Sequence, residues 1–256
     1  MALNKDVYTK SVSIDGRSMS FAIRPGGERV VSLIHGLQDR WQTFRRVISS
    51  INSNWTVVAL DLRGHGCSEW VSGRYSLDDF SADYVTFHRM VIGDRPSIIY
   101  GHSLGGWVAA ISEPALRHSL IAIGIEDSAF YEPSHGQKMM MSDFAVPSAL
   151  MKSLNQAQRV SDPELQKRWF EKQSYKERDP CEMLSLLRTP LLLVRADPRK
   201  GGLLSSVAAG KALENVEVPY REVFVPESSH SVHSQFPRIV ANSIISFADD
   251  CLGFAA

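Results

Sequence analysis

The sequence is punctuated by short apolar runs that stop abruptly, and these runs limit what the chain can fold into. Val30-Val31-Ser32-Leu33-Ile34, Thr56-Val57-Val58-Ala59-Leu60, Ser97-Ile98-Ile99-Tyr100, residues 120–125 and Pro190-Leu191-Leu192-Leu193-Val194 are too short for ordinary helices. Their apolar residues do not alternate with polar ones, so both faces of each run need burial. Strands of that kind belong to a parallel sheet covered by helices. Helical spacing fills the intervals. Trp41, Phe44, Val47, Ile48 and Ile51 share a stripe over residues 39–51. Leu77, Phe80, Tyr84, Phe87 and Val91 do so over residues 76–92, and a helix of small residues follows Leu104. Residues 7–14 and 19–23 flank Asp15-Gly16, a hairpin signal. The alternation predicts an α/β fold, with a mostly parallel central sheet and helices on both of its sides.

The rhythm stops between residues 128 and 187. That stretch has no obvious strand, is rich in Met, Gln, Lys and Glu, and holds helical pieces such as residues 162–173. Afterwards come the strand at 190–194, a helix near 203–213, a strand at 220–225 and a last helix from about 235 to 250. Residues 1–127 and 188–256 are therefore expected to form the core. Residues 128–187 are expected to form a helical lid over the crevice at the carboxyl ends of the strands.

Charge excludes one class of partner. Lys plus Arg number 28 and Asp plus Glu number 28, a formal net charge of zero. Nucleic-acid binders carry a basic excess, and this chain does not. No window approaches the roughly 18 apolar residues of a membrane span. Cys67, Cys181 and Cys251 are widely spaced, with no CxxC pair and no Cys/His cluster along the chain. Neither a disulfide framework nor a metal site is expected. Residues 1–6 lack the apolar core of a secretory signal, so a cytoplasmic location is expected.

The strongest chemical signal is Gly101-His102-Ser103-Leu104-Gly105-Gly106, a G-x-S-x-G between a buried strand and a helix. A serine hydroxyl is a poor nucleophile unless it meets a base and an electrophile together. A sharp strand-to-helix turn pushes it out of the sheet edge, and glycines on either side relieve crowding. The helix amino terminus then aims N–H groups, that of Leu104 first, at a developing oxyanion.

With these residues in view, the chain resembles the α/β-hydrolase fold superfamily along essentially its whole length. His35-Gly36-Leu37 after a strand is similar to the family's oxyanion loop, and Asp61-Leu62-Arg63-Gly64-His65-Gly66-Cys67-Ser68 resembles its D-x-R-G-x-G-x-S turn. Ser229-His230 resembles the loop of the catalytic histidine, with Ser229 where the family usually has Gly. The resemblance implies Ser103 as nucleophile, His230 as base in preference to His233, and the N–H groups of Leu37 and Leu104 as oxyanion hole. For the acid it implies Asp197, after the strand at 191–195. The motif Arg195-Ala196-Asp197-Pro198 departs from the usual spacing, and Asp127, at the end of the strand at 120–125, is the alternative. His35 is a pocket candidate whose ring can equally brace its loop. Trp41, Trp107, Phe130 and Met139-Met140-Met141 are apolar candidates for the pocket wall.

The activity so implied is hydrolysis of a small ester, lactone or related acyl compound. The substrate would be moderately apolar and no cofactor would be needed. C–C or amide hydrolysis, perhydrolysis, lyase chemistry and non-enzymatic reception of a small molecule are the alternatives on the same fold. Epoxide hydrolases and haloalkane dehalogenases of the fold use Asp at the nucleophile position, and Ser103 argues against both.

Overall fold

A computed structural model describes residues 6–130, 160–171 and 178–253. In chain order the strands are β1 Tyr8–Ile14, β2 Arg17–Arg24, β3 Arg29–Ile34, β4 Trp55–Leu60, β5 Ser97–His102, β6 Leu120–Glu126, β7 Leu191–Arg195 and β8 Tyr220–Phe224. The helices are α1 Arg45–Ser50, α2 Leu77–Val91, α3 Leu104–Leu116, α4 Pro163–Glu171, α5 Pro180–Ser185, α6 Ser206–Leu213, α7 Val232–Gln235 and α8 Pro237–Gly253.

The strands form one eight-stranded sheet in the order β1-β2-β4-β3-β5-β6-β7-β8. From β4 to β8 every pairing is parallel, and β1-β2 and β2-β4 are antiparallel. This is the α/β-hydrolase fold that the resemblance implies. The continuous apolar runs fill the middle: every residue of β4, β5 and β7 is buried, whereas β1 at one edge is largely exposed. Asp15 and Gly16 both take positive φ, as a two-residue hairpin turn requires.

Each face of the sheet carries its own core. Phe80, Tyr84 and Phe87 of α2 pack with Trp107 and Val108 of α3 on one side. Val47 and Ile48 of α1 pack with Val240, Ile244 and Phe247 of α8 on the other. The chain leaving β3 thus goes to one face and the chain leaving the adjacent β5 goes to the opposite face. Such a divergence opens a crevice at the carboxyl ends of the two strands, and Ser103 stands there.

Two elements differ from expectation. Residues 35–40 form a loop, so the expected helix at 39–51 becomes a 3-10 turn, Trp41–Phe44, running into α1. Arg40, extended at φ −161° and ψ 165°, delays the helical start to Trp41. The last helix is interrupted at Phe236, because the residue before Pro237 is kept out of helical conformation. In the stretch expected to be a lid, α4 and α5 agree with a helical reading. Leu165, Trp169, Met183 and Leu184 from these two helices are buried in the α2–α3 core. Ser161 pairs with His65 in an isolated antiparallel bridge. Met139, Met140 and Met141 lie outside the described residues.

Packing of α3 on β3 depends on Gly105. A Cβ there would lie 2.2 Å from the Ile34 carbonyl oxygen and 2.8 Å from that of His35. Gly105→Ala is therefore expected to cost about 1–3 kcal/mol of stability through overpacking. Urea unfolding measures this, and an unchanged midpoint would mean that α3 does not approach β3 so closely.

Candidate active site

Ser103 joins β5 to α3 with φ +53° and ψ −113°. A side-chain-bearing residue takes that conformation only at a cost of about 1–3 kcal/mol, so its neighbours have to hold it. The Ser103 N–H donates to the Glu126 carbonyl at 2.8 Å. Its own carbonyl accepts the Gly106 N–H at 3.0 Å and the Ser128 hydroxyl at 2.7 Å. The flanking glycines are required by space. A Cβ on Gly101 would lie 2.0 Å from the Gly105 carbonyl oxygen, which leaves the turn no room for a side chain. Leu104 is the first residue of α3, so its N–H belongs to the unsatisfied first turn of that helix.

The loop after β3 closes against this turn. A Cβ on Gly36 would lie 2.7 Å from His102 Nδ1 and 3.2 Å from Ser103 Cβ. Two buried histidines hold the loop. His35 donates from Nδ1 to the Gly36 carbonyl at 2.7 Å and accepts the Leu62 N–H at Nε2, 3.0 Å. His65 donates from Nδ1 to the Arg63 carbonyl and accepts the Gln38 N–H at Nε2, 3.2 Å. Burial lowers His35 to about 4 and His65 well below its usual value, so both rings are neutral braces. His35 is fully enclosed and is no part of a pocket wall. Leu37, between these anchors, is half-buried.

His230 lies on the loop after β8, where Glu227 takes φ +62°. Its Nδ1 donates to Asp127 Oδ2 at 2.8 Å, and its side chain is 27% exposed, open enough for a substrate to reach. Asp127, at φ +43° just beyond β6, is fully buried. Besides His230, its carboxylate accepts the backbone N–H groups of Leu203 at 2.8 Å, Leu204 at 3.1 Å and Ala196 at 3.3 Å. Those donors compensate a charge that burial alone would make very costly.

The expectation for Asp197 is corrected here. Its carboxylate faces Arg199, receiving Nε at 3.0 Å and Nη2 at 2.7 Å, together with the backbone N–H groups of Arg199 and Glu227. The hydrogen bonds from Arg199 hold it far below the usual carboxylate range. Asp197 caps a short 3-10 turn that has Pro198 in its first position. The sequence carried that signal: Asp followed by Pro and a cation is a capping pattern. The histidine's partner is Asp127.

Sequence reasoning did not foresee that Glu126 pairs with His233, the histidine set second to His230. His233 is completely buried, and both its Nδ1 at 2.7 Å and its backbone N–H at 3.0 Å donate to Glu126 Oε1. Tyr100 donates its hydroxyl to Glu126 Oε2 at 2.7 Å. Burial by itself would lower His233, but the Glu126 carboxylate raises it above the ordinary histidine value. His102 donates from Nε2 to the His230 carbonyl at 3.1 Å, and burial holds it well below the usual range. Two adjacent acids ending an apolar strand were the available clue, since each needs a donor once buried.

The apolar pocket candidates are core residues. Trp107 and Phe130 meet edge to face with ring centres 5.2 Å apart, and both are enclosed. Trp41 is buried on the α1–α8 side with the Arg45 guanidinium over its ring.

Acid should weaken this structure. His35 and His88 are each held at about 4 by burial, against about 6.5 in an unfolded chain. The unfolded state therefore binds more protons between those values, and stability falls as pH drops through that window. Between pH 7 and pH 5 the loss is about 2 kcal/mol per ring. His65 and His102 act in the same direction, while Asp39, raised by burial to about 6, and His233 oppose it. Urea unfolding at the two pH values should give the lower midpoint at pH 5, and equal midpoints would refute the burial of these rings.

Comparison with known proteins places the chain. Residues 33–243 match the model of the alpha/beta hydrolase family. Epoxide hydrolase 4 of Mus musculus is 31% identical over 144 residues, covering 52% of this chain and 40% of that protein. The 2-(acetamidomethylene)succinate hydrolase of Mesorhizobium japonicum is 29% identical over 101 residues, covering 38% of this chain and 36% of that protein. The matched segment thus spans well under half the length of either relative. A solved structure of E-2-(acetamidomethylene)succinate hydrolase superposes with a TM-score of 0.75 at 18% identity, covering 95% of this chain and 99% of that one. An N-acyl homoserine lactonase does so with a TM-score of 0.77 at 14% identity, covering 96% and 97%. Among the described residues no helix is long and apolar enough to cross a membrane. The chain belongs to the alpha/beta hydrolase family.

Proposed function

We propose that the chain is a serine hydrolase that cleaves a small ester, lactone or related acyl compound through an acyl-enzyme. The observation that carries this reading is the 2.8 Å hydrogen bond from His230 Nδ1 to the buried Asp127. That bond fixes the tautomer in which Nε2 is the basic nitrogen, and it stabilises the imidazolium once formed. Nε2 takes the Ser103 proton as the alkoxide attacks the carbonyl carbon. The oxyanion is received by the N–H groups of Leu37 and Leu104, one from each side of the crevice. His230 then protonates the leaving group, and a water activated by the same nitrogen releases the acid. No step calls for a metal or an organic cofactor. Residues 128–187 are read as the cap that selects the substrate and excludes water.

The likeness to epoxide hydrolase 4 does not carry over as an activity. A carboxylate nucleophile opens an epoxide to an ester that water can cleave. An alkoxide would leave an ether, which ordinary hydrolysis does not release. Ser103 therefore favours acyl chemistry.

A fluorophosphonate probe tests the nucleophile. Stoichiometric labelling is expected in the parent chain and none in Ser103→Ala; an unlabelled parent would favour a ligand receptor. With p-nitrophenyl acetate as reporter, Asp127→Asn is expected to lower kcat about 10²–10⁴-fold. Asp197→Asn should lose less than about tenfold, because it acts only through the loop before His230. The reverse ranking would return the acid role to Asp197. His230→Gln is expected to lose at least as much turnover as Asp127→Asn, measured with the same reporter.

A further inference from the structure

We propose that Asp39, His102 and His233 form a binding site for a divalent transition-metal ion of the zinc class, beside the Ser103 turn. One potential ligand atom from each lies within 4.8 Å of the other two. The three come from the loop after β3, the end of β5 and the start of α7, so nothing along the sequence joins them.

Hydrogen bonding fixes which nitrogen each ring offers. His102 gives its Nε2 proton to the His230 carbonyl, which can only accept, and Nδ1 is left with a bare lone pair. His233 gives its Nδ1 proton to Glu126 and turns Nε2 to the other side. Both remaining atoms, His102 Nδ1 and His233 Nε2, are buried without a hydrogen-bond partner among the described residues. Buried polar atoms are rarely left so, and two in one place call for an occupant. The Asp39 carboxylate is the third group. With His233 carrying its proton on Nδ1 alone, two bare nitrogens and a carboxylate are all acceptors. A water molecule has only two protons for them, whereas a cation satisfies all three.

The surroundings suit a metal. Gly36 keeps the space before His102 Nδ1 clear, since a Cβ there would stand 2.7 Å from that nitrogen. The His233–Glu126 contact at 2.7 Å is the carboxylate–imidazole arrangement that orients a metal-binding histidine and raises its basicity. Glu126 is itself held by Tyr100. Two imidazoles with one carboxylate suit zinc, cobalt or nickel, whereas magnesium and calcium prefer oxygen alone. Bond lengths of about 2.0–2.2 Å would draw the ligand atoms to within about 3.5 Å of one another. Asp39 can supply its own part of that movement because it lies on a loop and is only partly buried.

The test reads metal directly, so its outcome does not depend on the hydrolase reading. The purified full chain is stripped with EDTA, loaded with ZnCl2, desalted and analysed by ICP mass spectrometry. Co2+ is used in parallel for its visible d–d absorption. Close to one zinc per chain is expected, with Co2+ bands typical of nitrogen and oxygen ligands. Asp39→Asn should weaken binding at least about tenfold and His102→Gln at least as much, with far-UV circular dichroism confirming the fold of each variant. His118→Gln, at an exposed histidine beside Asp94, should change nothing. If His102→Gln does not fold, Asp39→Asn decides alone. No zinc retained by the parent, or retention unaffected by Asp39→Asn, overturns the site; in that case a water or an additional proton on His233 occupies the space.

Discussion

The carboxylate of Asp127 is the fixed point of the structure. It is fully buried at the end of β6 and collects donors from Ala196, Leu203, Leu204 and His230. Three of these are backbone groups that follow β7, and the fourth is the side chain of the loop after β8. One charge thus ties the ends of β6 and β7 and the loop after β8 to a single place. An ionised carboxylate in such surroundings costs several kcal/mol unless each lone pair is used. The loops therefore have little freedom to sit elsewhere, and His230 inherits that precision. Ser128, next in the chain, donates to the Ser103 carbonyl, so the same strand end also steadies the strained serine.

The fold was largely legible because it rests on local signals. Fully buried strands are continuous apolar runs, Asp15-Gly16 announces a hairpin, and the stripe from Leu77 to Val91 announces α2. The G-x-S-x-G pentapeptide announces its own turn, since Gly101 and Gly105 are needed for space. What the sequence hid is long-range pairing. Both Asp127 and Asp197 follow a strand, and both are buried. They differ only in who arrives: a histidine about a hundred positions away for Asp127, an arginine two residues on for Asp197. The near cation was visible in the sequence. It should have counted against Asp197, whose carboxylate spends all four lone pairs on the Arg199 guanidinium and the N–H groups of Arg199 and Glu227 and has none left for an imidazole.

The helical expectation for residues 39–51 was met over Trp41–Ser50, as a 3-10 turn running into α1, and only its start differs, for a related reason. The apolar stripe was real, and Trp41, Phe44, Val47 and Ile48 are buried as it implied. The loop before it, however, has to press against the serine turn with Gly36 and keep Gln38 at positive φ. Contact with the site overrides helical propensity there, as strain commonly concentrates where a fold presents reactive groups.

Two carboxylate–imidazole pairs stand side by side at the end of β6, and their difference lies in solvent access rather than chemistry. Glu126 holds His233 at 2.7 Å with both side chains sealed, and Asp127 holds His230 at 2.8 Å with the ring 27% exposed. A sealed ring cannot exchange protons with a reactant, which is why the proposed mechanism gives the role of base to His230 and not to His233. The sealed pair still shapes the site, because the His102 ring lies between them, with centres 4.5 Å from His230 and 4.7 Å from His233. Any charge gained at His102 or His233 would oppose formation of the imidazolium at His230. Burial suppresses that charge at His102, which leaves a neutral spacer between a pair open to solvent and a pair that faces inward.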